Sequence, residues 1–122
     1  MTILAVLSDI HGNLPALEAV MSDLKNFEVD QVIVSGDVIN FGPFSRKTAE
    51  VVIENGWPVI RGNNEYFLLD YKTPRSPIEW NDPVQFAPTA WLDKQFDQKL
   101  KNIIATWPDM LNLRFRDAPP IQ

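Results

Sequence analysis

Cysteine is missing from these 122 residues, which excludes disulfides, zinc–thiolate sites and iron–sulfur clusters together. Any metal must then be held by oxygen and imidazole. Imidazole is itself scarce, because His11 is the only histidine. Basic side chains are outnumbered, 11 against 16 acidic, and the net charge of -5 repels phosphate backbones, so nucleic acid is not an expected partner. No window approaches the ~20 apolar residues that a bilayer span requires. The first eight residues carry no basic stretch and run straight into Asp9, so they read as a buried strand and not as a signal peptide. A cytoplasmic protein without a membrane partner is the default expectation. Internal repeats and low-complexity tracts are also lacking.

What is present suits one α/β unit. The hydrophobic fraction of 45% over this length allows one core. Residues 2–7 (TILAVL), 29–34 and 57–60 are short apolar runs of the kind buried in a parallel sheet. Leu14, Leu17, Val20, Met21 and Leu24 fall at helical spacing behind Asn13, a candidate N-cap, with Pro15 in the first turn. Residues 45–55 read as a second helix capped by Ser45, with Gly56 beyond its end. Residues 72–84 hold three prolines and few aliphatics, and are expected to form an exposed excursion. An apolar stripe including Trp91, Phe96 and Trp107 then predicts one helix from 88 or 89 to 106, its aromatics packed in the core, and 110–115 are expected as a fourth strand.

Polar residues fall where each apolar run stops. Asp9 and His11 follow the first, Asp37 the second, and Asn63 with Asn64 the third. Strand–loop–helix units in succession put such loops at one sheet edge, where open α/β sheets bind ligands. Two carboxylates and an imidazole make a site for Mn, Fe, Zn or Mg. Asp37 has two oxygens and can bridge two ions, with Asp9 and His11 on one and the Asn63 amide oxygen on the other. Two ions about 3.5–4 Å apart can activate water and neutralise phosphoryl oxygens. Arg61 can donate a bidentate pair of hydrogen bonds to phosphate, and Gly12, Gly36, Gly42 and Gly62 are expected to allow positive φ and close approach in these turns. Each motif alone has an ordinary explanation as a turn; the convergence of three strands on one edge carries the reading.

In order and spacing, Asp9-Ile10-His11-Gly12-Asn13, then Gly36-Asp37 with Gly42-Pro43, then Gly62-Asn63-Asn64-Glu65 resemble the first three blocks of the calcineurin-like metallophosphoesterase superfamily. The continuation through Val20 looks like its small bacterial branch of phosphodiesterases and phosphatases. The resemblance implies two divalent ions, Mn first, with Fe, Zn, Mg or Ni as alternatives. It places Asp9 and His11 on the first ion, Asp37 between both and Asn63 on the second, with Asn13 shaping the loop below. Asp37 and Asn64 would serve catalysis, and Arg61 with Asn64 would meet the phosphate of a small phosphorylated substrate, a monoester or a diester. Many members have histidine where this chain has Asn64, and an amide cannot deliver a proton. The family also places further histidines in a C-terminal half, so residues 1–122 are expected to be one incomplete domain, half of a four-layer αββα sandwich. That implies weak metal binding and background activity for these residues alone, and self-association through the uncovered sheet face or through exchanged C-terminal segments. The rival expectations are a non-catalytic interaction module of the same descent and a receiver-like phosphoacceptor domain, in which His11 and Asn63 would have no role.

Overall fold

Two short apolar runs form the sheet on which the rest is built. A computed structural model describes all 122 residues. Strand β1 (Leu4–Leu7) pairs in parallel with β2 (Gln31–Val34), with Leu4 opposite Gln31 and Leu7 opposite Val34. Helix α1 (Leu14–Leu24) makes the crossover between them. It starts because the Asn13 side chain accepts from the Ala16 N–H at 3.2 Å and Pro15 needs no partner in the first turn. Helices α2 (Ser45–Glu54), α3 (Asn63–Asp70), α4 (Ala87–Asp93) and α5 (Gln98–Ala105) follow, with a 3₁₀ turn at Ile78–Asn81 before α4. The architecture is α/β, a parallel sheet flanked by helices.

Several expected elements are shorter or divided. The third strand shrinks to one parallel bridge, Val34 to Val59. Only Pro58 O and the Ile60 N–H bond to Val34, and proline at 58 has no N–H to extend the ladder. The long helix breaks in two: Asp97 accepts from the Leu100 N–H at 2.8 Å, capping α5 and ending the continuity its apolar stripe suggested. The fourth strand reduces to one antiparallel bridge, Leu113 to Ile121. Helix α2 has Phe44, not Ser45, at its N-cap; the Ser45 hydroxyl instead accepts from the Asn40 N–H and donates to Gly42 O.

Core packing explains why these pieces hold together. Val34, Val38, Ile39, Ala49, Val52 and Val59 join the sheet to α2, and Leu68, Leu92, Leu100 and Ile104 join α3, α4 and α5. Each large aliphatic in this set contributes roughly 1.5–3 kcal/mol by leaving water. Phe96 and Trp107 belong to this core, whereas Trp91, expected beside them, is 45% exposed. In residues 72–84 most side chains are exposed, but Trp80 meets Phe67 edge-on at 5.2 Å and lies 5.6 Å from Phe86. The opposite sheet face carries an open apolar groove lined by Leu4, Val6, Ile33, Ile60, Leu113 and Ile121. No helix is long and apolar enough to cross a membrane.

Candidate metal centre

Parallel pairing does not stop where β1 and β2 end. Ser35 N–H donates to Leu7 O, His11 N–H to Asp37 O at 2.9 Å and Gly12 N–H to Val38 O at 2.8 Å. The two loops beyond the strands are therefore zipped together, and Asp9, His11 and Asp37 arrive at one spot. One ligating atom from each lies within 4.8 Å of the others. His11 Nε2 is 3.6 Å from Asp9 Oδ1 and 3.9 Å from Asp37 Oδ2.

This convergence is held against a backbone preference. Asp9, His11 and Asp37 have φ of 55, 50 and 53°, all in the left-handed region. Such conformations cost of order 1–3 kcal/mol each and persist only where surroundings impose them. Glycine was the expected carrier of positive φ, and Gly12 and Gly36 do carry it. Gly42 and Gly62 serve close approach instead: a Cβ on Gly62 would stand 2.1 Å from Asp37 Oδ1, and one on Gly42 2.2 Å from His11 O.

The donor set fits a divalent cation. His11 Nδ1 lies 3.4 Å from Ile39 O, and a proton placed there turns the Nε2 lone pair toward two carboxylates. No lysine or arginine pairs with Asp9 or Asp37, whose only ion-pair partner in the chain is His11. A cation held by those oxygens and Nε2 would relieve the mutual repulsion.

The chain from the third short strand closes the site. Asn63 and Asn64, expected in a loop, form the first turn of α3. The Asn64 N–H donates to Asp37 Oδ1 at 3.1 Å, and the Asn64 side chain is buried. Asn63 is exposed and its side chain makes no hydrogen bond in the chain, which leaves its amide oxygen uncommitted. Arg61 is engaged elsewhere: its Nε lies 2.9 Å from Asp109 Oδ1, and its guanidinium lies over the Tyr66 ring at 4.9 Å. Tyr66 also donates its hydroxyl proton to Asp109. Arg61 Nε and Nη2 both lie on Asp109, so a bidentate grip on phosphate through those two atoms would require giving up Asp109.

One residue had no role in the sequence reading. Glu65 is fully buried and accepts from four backbone N–H groups: Gly62 at 2.7 Å, Asp37 at 3.0 Å, Val38 at 2.9 Å and Ile39 at 3.3 Å. It ties the loop carrying Asp37 to the start of α3. Burial pushes its carboxyl above the ordinary value, the N–H donors of Gly62, Asp37 and Ile39 oppose this, and nearby Asp37 adds to the rise. The available signal was Gly62 followed three residues later by Glu65, half of a capping box. Nothing local announced that the same carboxylate would serve a second loop.

A fold of this class with a carboxylate–imidazole triad at its sheet edge matches the family model of the calcineurin-like phosphoesterases over residues 2–120, and the chain belongs to that family. Among curated proteins it is 34% identical over 68 residues to an uncharacterized protein of Methanocaldococcus jannaschii, covering 56% of this chain and 28% of that one. A metallophosphoesterase crystal structure from Sphaerobacter thermophilus superposes with a TM-score of 0.68 at 26% identity, over 93% of this chain and 43% of that one. A hypothetical protein from Pyrococcus horikoshii shares the fold with a TM-score of 0.76 at 22% identity, over 93% of this chain and 51% of that one.

Proposed function

We propose that this chain contributes the first metal-binding edge of a hydrolase acting on a small phosphorylated molecule, a phosphomonoester or phosphodiester. The observation that carries the reading is the triad: Asp9, His11 and Asp37 within 4.8 Å, on loops zipped to one another, with no basic side chain neutralising them. The chain spans 28% of the curated relative and 43% of the Sphaerobacter structure, so the activity is proposed for the intact protein. Asp9 and His11 are assigned to one divalent ion, Asn63 to a second and Asp37 to both, with manganese the first choice. Bound there, divalent ions supply an activated water and offset the charge that develops on the phosphoryl oxygens. Asp37 is oriented through its backbone by Glu65 and through Oδ1 by the Asn64 N–H. The Asn64 side chain is assigned to a phosphoryl oxygen as a neutral donor. A cytoplasmic setting is part of the same proposal.

The test is hydrolysis of bis-p-nitrophenyl phosphate by the intact protein with and without Mn²⁺. Turnover is expected only with metal, and Asp37→Asn is expected to lower it by about 10²–10³-fold while leaving the circular dichroism spectrum unchanged. Equal turnover by the variant, or turnover that survives chelation, would sink the proposal.

A further inference from the structure

Behind the triad lies a buried pair of amides, of which the phosphoesterase reading uses Asn64 and leaves Asn40 without a task. Asn40 and Asn64 are each 2% exposed, and Asn40 Nδ2 donates to Asn64 Oδ1 at 2.8 Å. The direction of that bond follows from the backbone. Asn40 Oδ1 accepts from the Phe41 N–H at 2.9 Å, so the opposite end of the Asn40 amide is a donor. Its partner must present an acceptor, which fixes Asn64 with Oδ1 inward and Nδ2 outward. Asn64 Nδ2 has no partner in the chain, yet the enclosed unpaired side-chain atoms are only Thr48 Oγ1 and Gln95 Nε2. The Nδ2 group therefore reaches the surface, on a residue whose N–H already touches the Asp37 carboxylate. Asn40 is itself held in a left-handed turn, φ 77°, with its N–H on Ser45 Oγ. Keeping it there costs free energy, and the result is a fixed polarity for Asn64.

We infer that Asn40 is a positioning residue that presents Asn64 as a neutral donor, so that Asn64 binds the phosphoryl group and gives the leaving oxygen no proton. The inference rests on the phosphoesterase reading. No proton donor of this chain competes for the same corner. His11 belongs to the triad, Arg61 and Tyr66 are bound to Asp109, and the Glu65 oxygens are occupied by backbone N–H groups. In the reaction a P–O bond to water oxygen forms and the P–O bond to the leaving oxygen breaks. That oxygen keeps the bonding electron pair and takes no proton from Asn64, and the proton of water passes to solvent.

Asn40→Asp is the discriminating variant, because it keeps the shape, the turn and the acceptor for Phe41 while replacing the donor by an acceptor. Asn64 should then turn its amide over and show the substrate an oxygen. Two measurements on the intact protein separate the claims. The Asn64 side-chain amide is followed by ¹⁵N NMR without metal or substrate, and Mn²⁺-dependent hydrolysis is followed across aryl and alkyl phosphodiesters and a phosphoanhydride. Asn40→Asp is expected to shift the Asn64 amide resonances and to raise KM about tenfold for every substrate, while the dependence of rate on leaving-group pKa stays as in the wild type. Unshifted resonances would overturn the positioning role, and a leaving-group dependence that changes with Asn40→Asp would overturn the claim that Asn64 gives no proton while leaving the hydrolase intact. Absence of any metal-dependent turnover, with the amide still responding to Asn40→Asp, would overturn the hydrolase reading while supporting the positioning role.

Discussion

The turns at 8–13, 36–42 and 61–65 and the helical flank from 72 to 109 both carry many acids, and they treat them in opposite ways. On the flank three of the five acids meet a base: Asp93 takes Lys101 and Lys72, Asp97 takes Arg46, and Asp109 takes Arg61. In the turns Asp9 and Asp37 share one histidine, and Glu65 is satisfied by backbone N–H groups alone. Exposed pairs such as Arg46 with Asp97 contribute little, typically below about 1 kcal/mol. Carboxylates clustered without cations are costly, and they are kept where a missing positive charge is part of the design. The difference separates stability from chemistry: the flank fastens helices, while the turns hold a charge deficit in a strained backbone.

The largest blow to that contrast should come from Glu65. Glu65→Ala strips acceptors from N–H groups in both loops and is expected to destabilise by roughly 3–5 kcal/mol. Glu65→Gln, which still accepts, should cost clearly less. Urea unfolding of the two variants decides; equal, small losses would mean that the buried carboxylate is not what holds the site. A smaller and more local break is Gly62→Ala, whose new methyl would meet Asp37 Oδ1 at 2.1 Å and Asp37 N at 2.5 Å. It is expected to cost about 1–3 kcal/mol and to weaken Mn²⁺ binding about 10–100-fold. Gly56→Ala is the counterpart away from the turns. Gly56 has φ +64 with nothing within 4 Å of a Cβ, so only the left-handed strain applies, about 1 kcal/mol, and Mn²⁺ titrations should match the wild type.

The same contrast explains what could be read from the residues. Asp9, His11 and Asp37 were legible because each ends a short apolar run, and parallel pairing puts such ends together. Their left-handed backbone was not, since sequence assigns positive φ to glycines by default and here the ligands themselves carry it. The Asn40–Asn64 bond spans 24 positions and depends on which end of an amide a distant N–H selects, so neither residue type nor spacing reveals it. On the flank the apolar stripe through Trp91, Phe96 and Trp107 matched helical spacing well enough to hide a break. Asp97 three residues before Leu100 was the overlooked cap signal. Arg61 shows the limit of reading a charge by type: at the end of an apolar run it suggests an anion ligand, and only the fold reveals that Asp109, 48 positions away, pairs with it.

The smallest expected effect lies on the flank and depends on pH. The Asp97 carboxyl is held below its ordinary value by the Leu100 N–H first and then by Arg46. The unfolded chain therefore takes up this proton at a higher pH than the folded one. The stability the group supplies is complete above the ordinary aspartate value and is lost as pH falls through the depressed one. Asp97→Asn keeps a side-chain oxygen for the cap but removes the charge that faces Arg46. Its melting temperature should lie slightly below that of the wild type at about pH 7, and the gap should narrow steadily as pH falls below the ordinary aspartate value of about 4 and through the depressed one. Raising the salt to about 1 M, where the screening length is near 3 Å, should narrow the gap at neutral pH as well. The same salt should leave the Glu65→Ala deficit nearly untouched, because those bonds are buried and directed at backbone N–H groups. A gap for Asp97→Asn that neither acid nor salt reduces would mean that the flank, too, depends on buried polar bonds and not on exposed pairs.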